Sequence, residues 1–141
     1  MTVTFCGHRE IDNSERVRAW LTETVTELIE QGAEIFYIGD SGAFDRMAAC
    51  VVHTLKASYP NIRSVLVLAY LDRPADLRFF DGSTFPPLEK VPLRFAISHR
   101  NRWMVDASDC VVACVKYGWG GAAQTLDYAV RRKKQIVCYA G

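Results

Sequence analysis

Five short apolar runs, each separated from the next by a stretch of helical periodicity, constrain this chain more than any other feature. The runs are Val3–Cys6, Ile35–Ile38, Val65–Ala69, Cys110–Val115 and Ile136–Tyr139. Strands that are apolar almost throughout must be covered on both faces, which is the pattern of a parallel sheet between layers of helices. The intervening segments fit that reading. Val17, Trp20, Leu21, Val25, Leu28 and Ile29 recur at helical spacing, with Asp12, Asn13 and Ser14 as cap candidates, Asp12 and Glu15 as a capping box, and Gly32 as the stop. A second helix carries Phe44, Met47, Ala48, Val51 and Leu55, a third spans about Phe95 to Ala107, and a fourth about Gly121 to Arg132. Right-handed crossovers, with winding reversed after the third strand, give an expected order of 3-2-1-4-5. The fold class is therefore α/β: one Rossmann-like, three-layer domain over residues 1–141 with a five-stranded parallel sheet. The stretch from about 72 to 92 holds four of the five prolines and is expected to be an irregular surface loop or lid.

Composition narrows the function classes. The net charge of +1 offers no basic footprint, so direct nucleic-acid binding is not expected. The basic run Arg131–Lys134 ends the last helix, where cations complement the helix dipole. No window approaches the roughly 20 apolar residues of a membrane span, and Met1–Phe5 lacks the pattern of a signal peptide, so a cytoplasmic location is expected. The five cysteines, mostly in strands, read as small buried hydrophobes, and three histidines without spaced carboxylates call for no metal; no cofactor is expected.

In a sheet of this kind, ligands sit at the carboxyl ends of the strands, beside the point where strand order reverses. The residues delivered there are polar and glycine-rich: Gly7-His8-Arg9 after the first strand, Gly39-Asp40-Ser41-Gly42 running to Asp45 after the second, and Gly118-Trp119-Gly120-Gly121 after the fourth. Glycines admit backbone N–H groups to phosphate oxygens, and Gly120-Gly121 opens a helix whose first N–H groups are free for an anion. Closing tight turns is the other role these glycines can have. His8 and Arg9 either reach the pocket or sit in a solvated turn. Arg100 shares a helix face with Ile97 and Met104, so its charge needs an anionic partner, either a protein carboxylate or a ligand phosphate. Asn101 is a candidate polar contact, and Arg102 is placed to pair with Asp106.

Four motifs occur in order: Thr4-Phe5-Cys6-Gly7-His8-Arg9, then Gly39-x-x-Gly42-x-Phe44-Asp45, then Arg100-Asn101-Arg102-x-Met104-Val105-Asp106-x-Ser108-Asp109, then Gly120-Gly121-x-x-x-Thr125-x-x-Tyr128-Ala129. Together they resemble the YpsA-like branch of the SLOG superfamily, named for the Smf/DprA and LOG proteins. The resemblance implies a Rossmannoid fold that binds a nucleotide or nucleotide-derived phosphate ligand, as a sensor or binding module, and a homo-oligomer, with Trp103 or Trp119 available to its interface. LOG-type relatives hydrolyse the N-glycosidic bond of nucleoside monophosphates, with an arginine in the third helix and a Pro-Gly-Gly-x-Gly-Thr-x-x-Glu signature. Arg100 matches the arginine, and Gly120 and Gly121 match the glycine pair. Trp119 stands for the proline, Ala123 for the third glycine, Gln124 for the threonine and Asp127 for the glutamate.

A glycosidase needs a carboxylate to support its cationic transition state. Asp127 is one methylene shorter than the signature residue and can instead pair with Arg131; Glu89, in the lid-like stretch, is the other candidate. The expectation is thus a nucleotide-like small molecule bound by Gly7, His8, Arg9, Gly39, Asp40, Ser41, Gly42, Asp45, Arg100, Asn101, Gly120, Gly121 and Thr125. Arg100, Asp127 and Glu89 are catalytic only if the chain is a phosphoribohydrolase. An interaction module with a vestigial pocket is the third possibility.

Overall fold

The computed structural model describes residues 1–141. Strand β1 (Thr2–Gly7) leads through helix α1 (Ser14–Glu30) to β2 (Ile35–Ile38), then α2 (Ala43–Leu55) and β3 (Arg63–Val67). A short strand β4 (Gly82–Thr84) precedes a 3-10 turn (Leu93–Phe95), helix α3 (Ala96–Asp106), β5 (Cys110–Cys114), α4 (Gly121–Arg131) and β6 (Gln135–Cys138). All neighbouring strands pair in parallel, in the order β4-β3-β2-β1-β5-β6. The expected α/β architecture is present, with six strands where five were expected. The order of the five apolar strands is the expected one, and β4 extends it at one edge.

The two faces of the sheet explain the apolar runs. Val3, Phe5, Phe36, Ile38 and Val112 point to one side and meet α1 and α2 through Val17, Leu21, Phe44 and Val52. Cys6, Val111 and Ala113 point to the other and meet Val105 of α3 and Ala129 of α4. Burial of a large apolar side chain contributes about 1.5–3 kcal/mol, so Phe5, Phe36 and Phe44, all essentially inaccessible to water, anchor the larger layer. Thr4, the polar residue inside β1, donates its hydroxyl to the Tyr37 carbonyl at 2.9 Å, which removes the cost of burying it.

Two local expectations are corrected. β4 lies in the stretch expected to be irregular. It carries no apolar signature because it is a short edge strand, held by Asp81, whose Oδ2 accepts the Ser64 N–H at 2.9 Å and whose Oδ1 pairs with Lys56. The Asp12–Glu15 capping box does not form: Asn13 is the N-cap of α1, in the left-handed region at φ 55°, with no side-chain cap. Asparagine adopts that region more readily than most residues, and Asp12 is free to pair with Lys116 at 3.0 Å. Gly32 ends α1 as expected, at φ 107°.

Gly7, the last residue of β1, lies against Phe44 so closely that an added Cβ would sit 2.4 Å from the ring. Gly7→Ala is therefore expected to destabilise the fold by about 1–3 kcal/mol through overpacking. Gly118→Ala, at a position with open space around it, should stay within about 0.5 kcal/mol of the parent. Chemical denaturation of both variants checks the contrast.

Candidate functional site

Strand order reverses at β1, whose Gly7 is in register with Cys114 at the end of β5. The loops leaving these two ends diverge, and between them opens a cleft of about 620 Å³. Of the residues singled out from sequence, Gly7, His8, Arg9, Ser41, Asp45, Asn101, Gly120, Gly121 and Thr125 line it. Asp40 lines a smaller adjoining cleft of about 230 Å³. Gly39, Gly42 and Arg100 lie behind the main wall, while Asp127 and Glu89 are exposed and line neither cleft.

One wall is the N-terminus of α4. Gly120 holds φ at 91°, which favours glycine, and lets the chain turn into the helix. The first helical bond runs from the Gln124 N–H to the Gly120 carbonyl at 3.0 Å, leaving the N–H groups of Gly121, Ala122 and Ala123 without a protein acceptor. A Cβ at Gly121 would meet nothing within 4 Å, so this glycine gives open access to backbone. The Thr125 hydroxyl donates to the Gly121 carbonyl at 2.8 Å and steadies the turn.

A second wall, on the loop that leads into α4, is aromatic. His8 Nε2 accepts the backbone N–H groups of Lys116 at 2.8 Å and Tyr117 at 3.2 Å, so the β1 loop holds the β5 loop in place. Accepting at Nε2 puts the imidazole proton on Nδ1. The His8 ring lies 4.8 Å from that of Tyr117, which stacks on Trp119 at 5.0 Å and 14°. Trp119 is 72% exposed and lines the cleft with a large apolar surface. Sequence reasoning had placed Trp119 only as a substituted proline or an oligomer contact, and it did not single out Tyr117. The signal was present as two aromatics alternating with glycine directly before the Gly120-Gly121 pair. Trp103, the other aromatic considered for an interface, packs edge-on against Tyr37 at 5.2 Å.

The floor depends on Arg100, the largest fully buried side chain in the molecule. Its Nη1 donates to Asp40 Oδ1 at 3.1 Å and to the Val67 carbonyl at 3.0 Å; Nη2 donates to Ser41 Oγ at 2.6 Å, and Nε to Asn101 Oδ1 at 2.9 Å. One guanidinium thus joins α3 to the ends of β2 and β3. Of the two kinds of anionic partner considered from sequence, the structure shows a protein carboxylate, that of Asp40. Gly39 is needed for close approach, because its Cβ would lie 3.0 Å from Arg100 Cζ and 3.1 Å from Asp45 Oδ2. Gly42 plays the same part against the Arg9 backbone, where a Cβ would come to 2.4 Å.

Asp45 Oδ2 accepts the Ser41 N–H at 2.9 Å. Burial pushes its carboxyl above the ordinary value of 3.8, opposed by the Ser41 N–H and by the Arg100 charge. Burial, reinforced by the Asp45 charge, pushes the Cys6 thiol up to about 12, so this cleft-lining cysteine stays protonated at neutral pH and is no nucleophile. The expected Arg102–Asp106 pair is not made: Asp106 binds Arg132 at 3.0 Å and the Tyr128 hydroxyl, while Arg102 lies over the Tyr128 ring. Asp127 and Arg131 form no ion pair either; Arg131 too lies over Tyr128.

Two predictions follow from the floor. Arg100→Leu breaks the ion pair with Asp40, removes the donor to Ser41 and orphans the Val67 carbonyl, and is expected to cost about 3 kcal/mol or more, measured by denaturant unfolding. Asp45 is protonated more readily in the folded chain than in the unfolded one. Its contribution to stability is therefore complete below pH 3.8 and is lost as pH rises through the elevated folded value. Asp45→Asn keeps an oxygen acceptor for Ser41 and removes that loss, so the stability of the parent minus that of the variant should fall between acid and neutral pH. A pH series of melting temperatures for both proteins reads it.

No family model matches the chain, and no curated protein matches it. Among solved structures, the fold is similar to that of DNA processing protein A from Helicobacter pylori, described for its single-stranded DNA binding mode. The two share 16% identity at a TM-score of 0.67, over 98% of this chain and 64% of that one. The chain thus spans just under two-thirds of that protein's length. The likeness corrects one expectation: near-neutral charge had been read as excluding direct nucleic-acid contact, whereas a single-stranded DNA binding protein uses this same fold. What the chain shares with that protein is its architecture, a parallel sheet flanked by helices.

Proposed function

We propose that the main cleft binds a nucleotide or nucleotide-derived ligand, with a phosphate on the α4 amides and a base against the Tyr117–Trp119 stack. The observation that carries this reading is that two complementary surfaces share one cleft. Unsatisfied N–H groups at a helix N-terminus favour an anion, and an exposed aromatic face favours a planar ring. A volume of about 620 Å³ is in the range of small-molecule sites. Arg100 acts behind the wall on this reading, fixing Ser41, Asp40 and Asn101, while Arg9 supplies the accessible positive charge.

Binding is favoured over hydrolysis because the carboxylates matched to the hydrolytic role, Asp127 and Glu89, lie outside the cleft. The carboxylates that do line it are Glu10, Asp12 and Asp45; Asp12 is paired with Lys116 and Asp45 accepts the Ser41 N–H, and none of the three stands at a position matched to the hydrolytic signature. The finer assignment, a YpsA-like member of the SLOG superfamily acting as a sensor, is part of this proposal. Its support is that motifs far apart in sequence converge on one cleft.

Gly121→Pro tests the phosphate site. Proline is tolerated at the first helical position and removes one N–H there, while the space beside Gly121 is open. A charge-assisted hydrogen bond is worth about 1.5–3 kcal/mol. The variant should therefore fold as the parent does but bind adenosine monophosphate roughly ten- to a hundredfold more weakly by calorimetry. Unchanged affinity, or no binding of any nucleoside monophosphate by the folded parent, overturns the reading.

A further inference from the structure

The smaller cleft is a continuation of the larger one. The two share Arg9, Ser41 and Ile97 in their linings, so a ligand in the main cleft lies next to the smaller one at Arg9. The far end of the smaller cleft is formed by Tyr70, Arg73, Pro74 and Ala75, immediately beyond β3. Arg73 and Arg9 both face this space, and neither guanidinium has a carboxylate within ion-pairing distance. Asp40 also lines it, but Asp40 already accepts from Arg100, which offsets its charge. The unbalanced charge of the smaller cleft is therefore positive.

Arg73 is also held in position. Its Cζ lies 3.8 Å from the centroid of the Tyr70 ring, and the Tyr70 hydroxyl donates to the Leu93 carbonyl at 3.0 Å, which ties the ring to the turn before α3. A guanidinium stacked on an anchored ring loses less side-chain freedom on binding an oxyanion, and its planar fork suits the oxygens of a phosphate.

We infer that the smaller cleft is a second anion subsite, in which Arg73 and Arg9 take a further phosphate group of the nucleotide bound in the main cleft. The inference rests on the binding proposed above and deepens it: the ligand class becomes a nucleotide bearing a second phosphate beyond its 5′-phosphate. Adenosine 3′,5′-bisphosphate and a 5′-phosphorylated dinucleotide share that chemistry, the first as a free metabolite-sized molecule and the second as a piece of a nucleic-acid strand.

Calorimetric titration of the full chain with adenosine monophosphate, adenosine 3′,5′-bisphosphate and the 5′-phosphorylated dinucleotide tests it, repeated with Arg73→Ala and Arg73→Lys. The parent should bind at least one of the two longer probes about tenfold more tightly than the monophosphate, and whichever gains more identifies the source. Arg73→Ala should abolish that gain while leaving monophosphate affinity within about twofold, and Arg73→Lys should retain part of it. If the monophosphate binds and neither longer probe binds more tightly, the second subsite is overturned while the first site stands. The same holds if Arg73→Ala keeps the whole gain. If no probe binds, both fall together.

Discussion

A single guanidinium removed from water sets the geometry of everything at the open end of the sheet. Arg100 projects from α3 beneath the ends of β2 and β3, and its four hydrogen bonds reach a carboxylate, a hydroxyl, a backbone carbonyl and a side-chain amide. Burying an ion is costly unless its partners are well placed, so the loop after β2 cannot drift without stranding the charge. The consequences spread from that constraint. Gly39 must be small because Arg100 and Asp45 crowd it. Asp45 is held against Ser41, and the start of α2 is thereby fixed beside the β1 loop, where Gly42 touches the Arg9 backbone. The floor is fixed by these hydrogen bonds, and the cleft's chemistry is left to the walls.

Those walls divide the work of recognition. The α4 N-terminus presents backbone donors, which suit an anion of any identity. The His8–Tyr117–Trp119 ladder presents a flat apolar face and is held by backbone bonds to the histidine instead of by burial. Arg9 stands where the main and smaller clefts meet, free of carboxylate partners. Glycines in this region serve two opposite ends. Gly7, Gly39 and Gly42 let neighbouring atoms approach, whereas Gly121 keeps an approach from solvent open.

The sequence made the central sheet legible because strands covered on both faces must be apolar, and four of the six (β3, β2, β1 and β5) are interior, while the edge strand β6 keeps an apolar run. β4 was not legible: a three-residue edge strand of Gly-Ser-Thr owes its place to the Asp81 side chain and to Lys56, contacts that local composition does not encode. The burial of Arg100 could be read from its spacing to Ile97 and Met104. Its partners could not, since Ser41 and Asp40 lie 59 and 60 residues away. The Asp12–Glu15 capping box of α1 failed for a related reason. Asp12 scored as a capping residue by pattern, but a distant lysine offered it an ion pair, and Asn13 took the left-handed position. Charge was the least informative property, because a net value of +1 conceals arginines that are gathered at one cleft.

The central claim, that a floor built on Arg100 presents the free α4 amides to a ligand phosphate, is tested most directly by backbone amide resonances during titration with adenosine monophosphate. The account predicts that the Gly121 and Ala122 amides shift strongly downfield and saturate together with the Trp119 indole signal, while the Arg100 side-chain resonances, already engaged, hardly move. Saturating shifts confined to other surfaces, with Gly121 and Ala122 unperturbed, would contradict it.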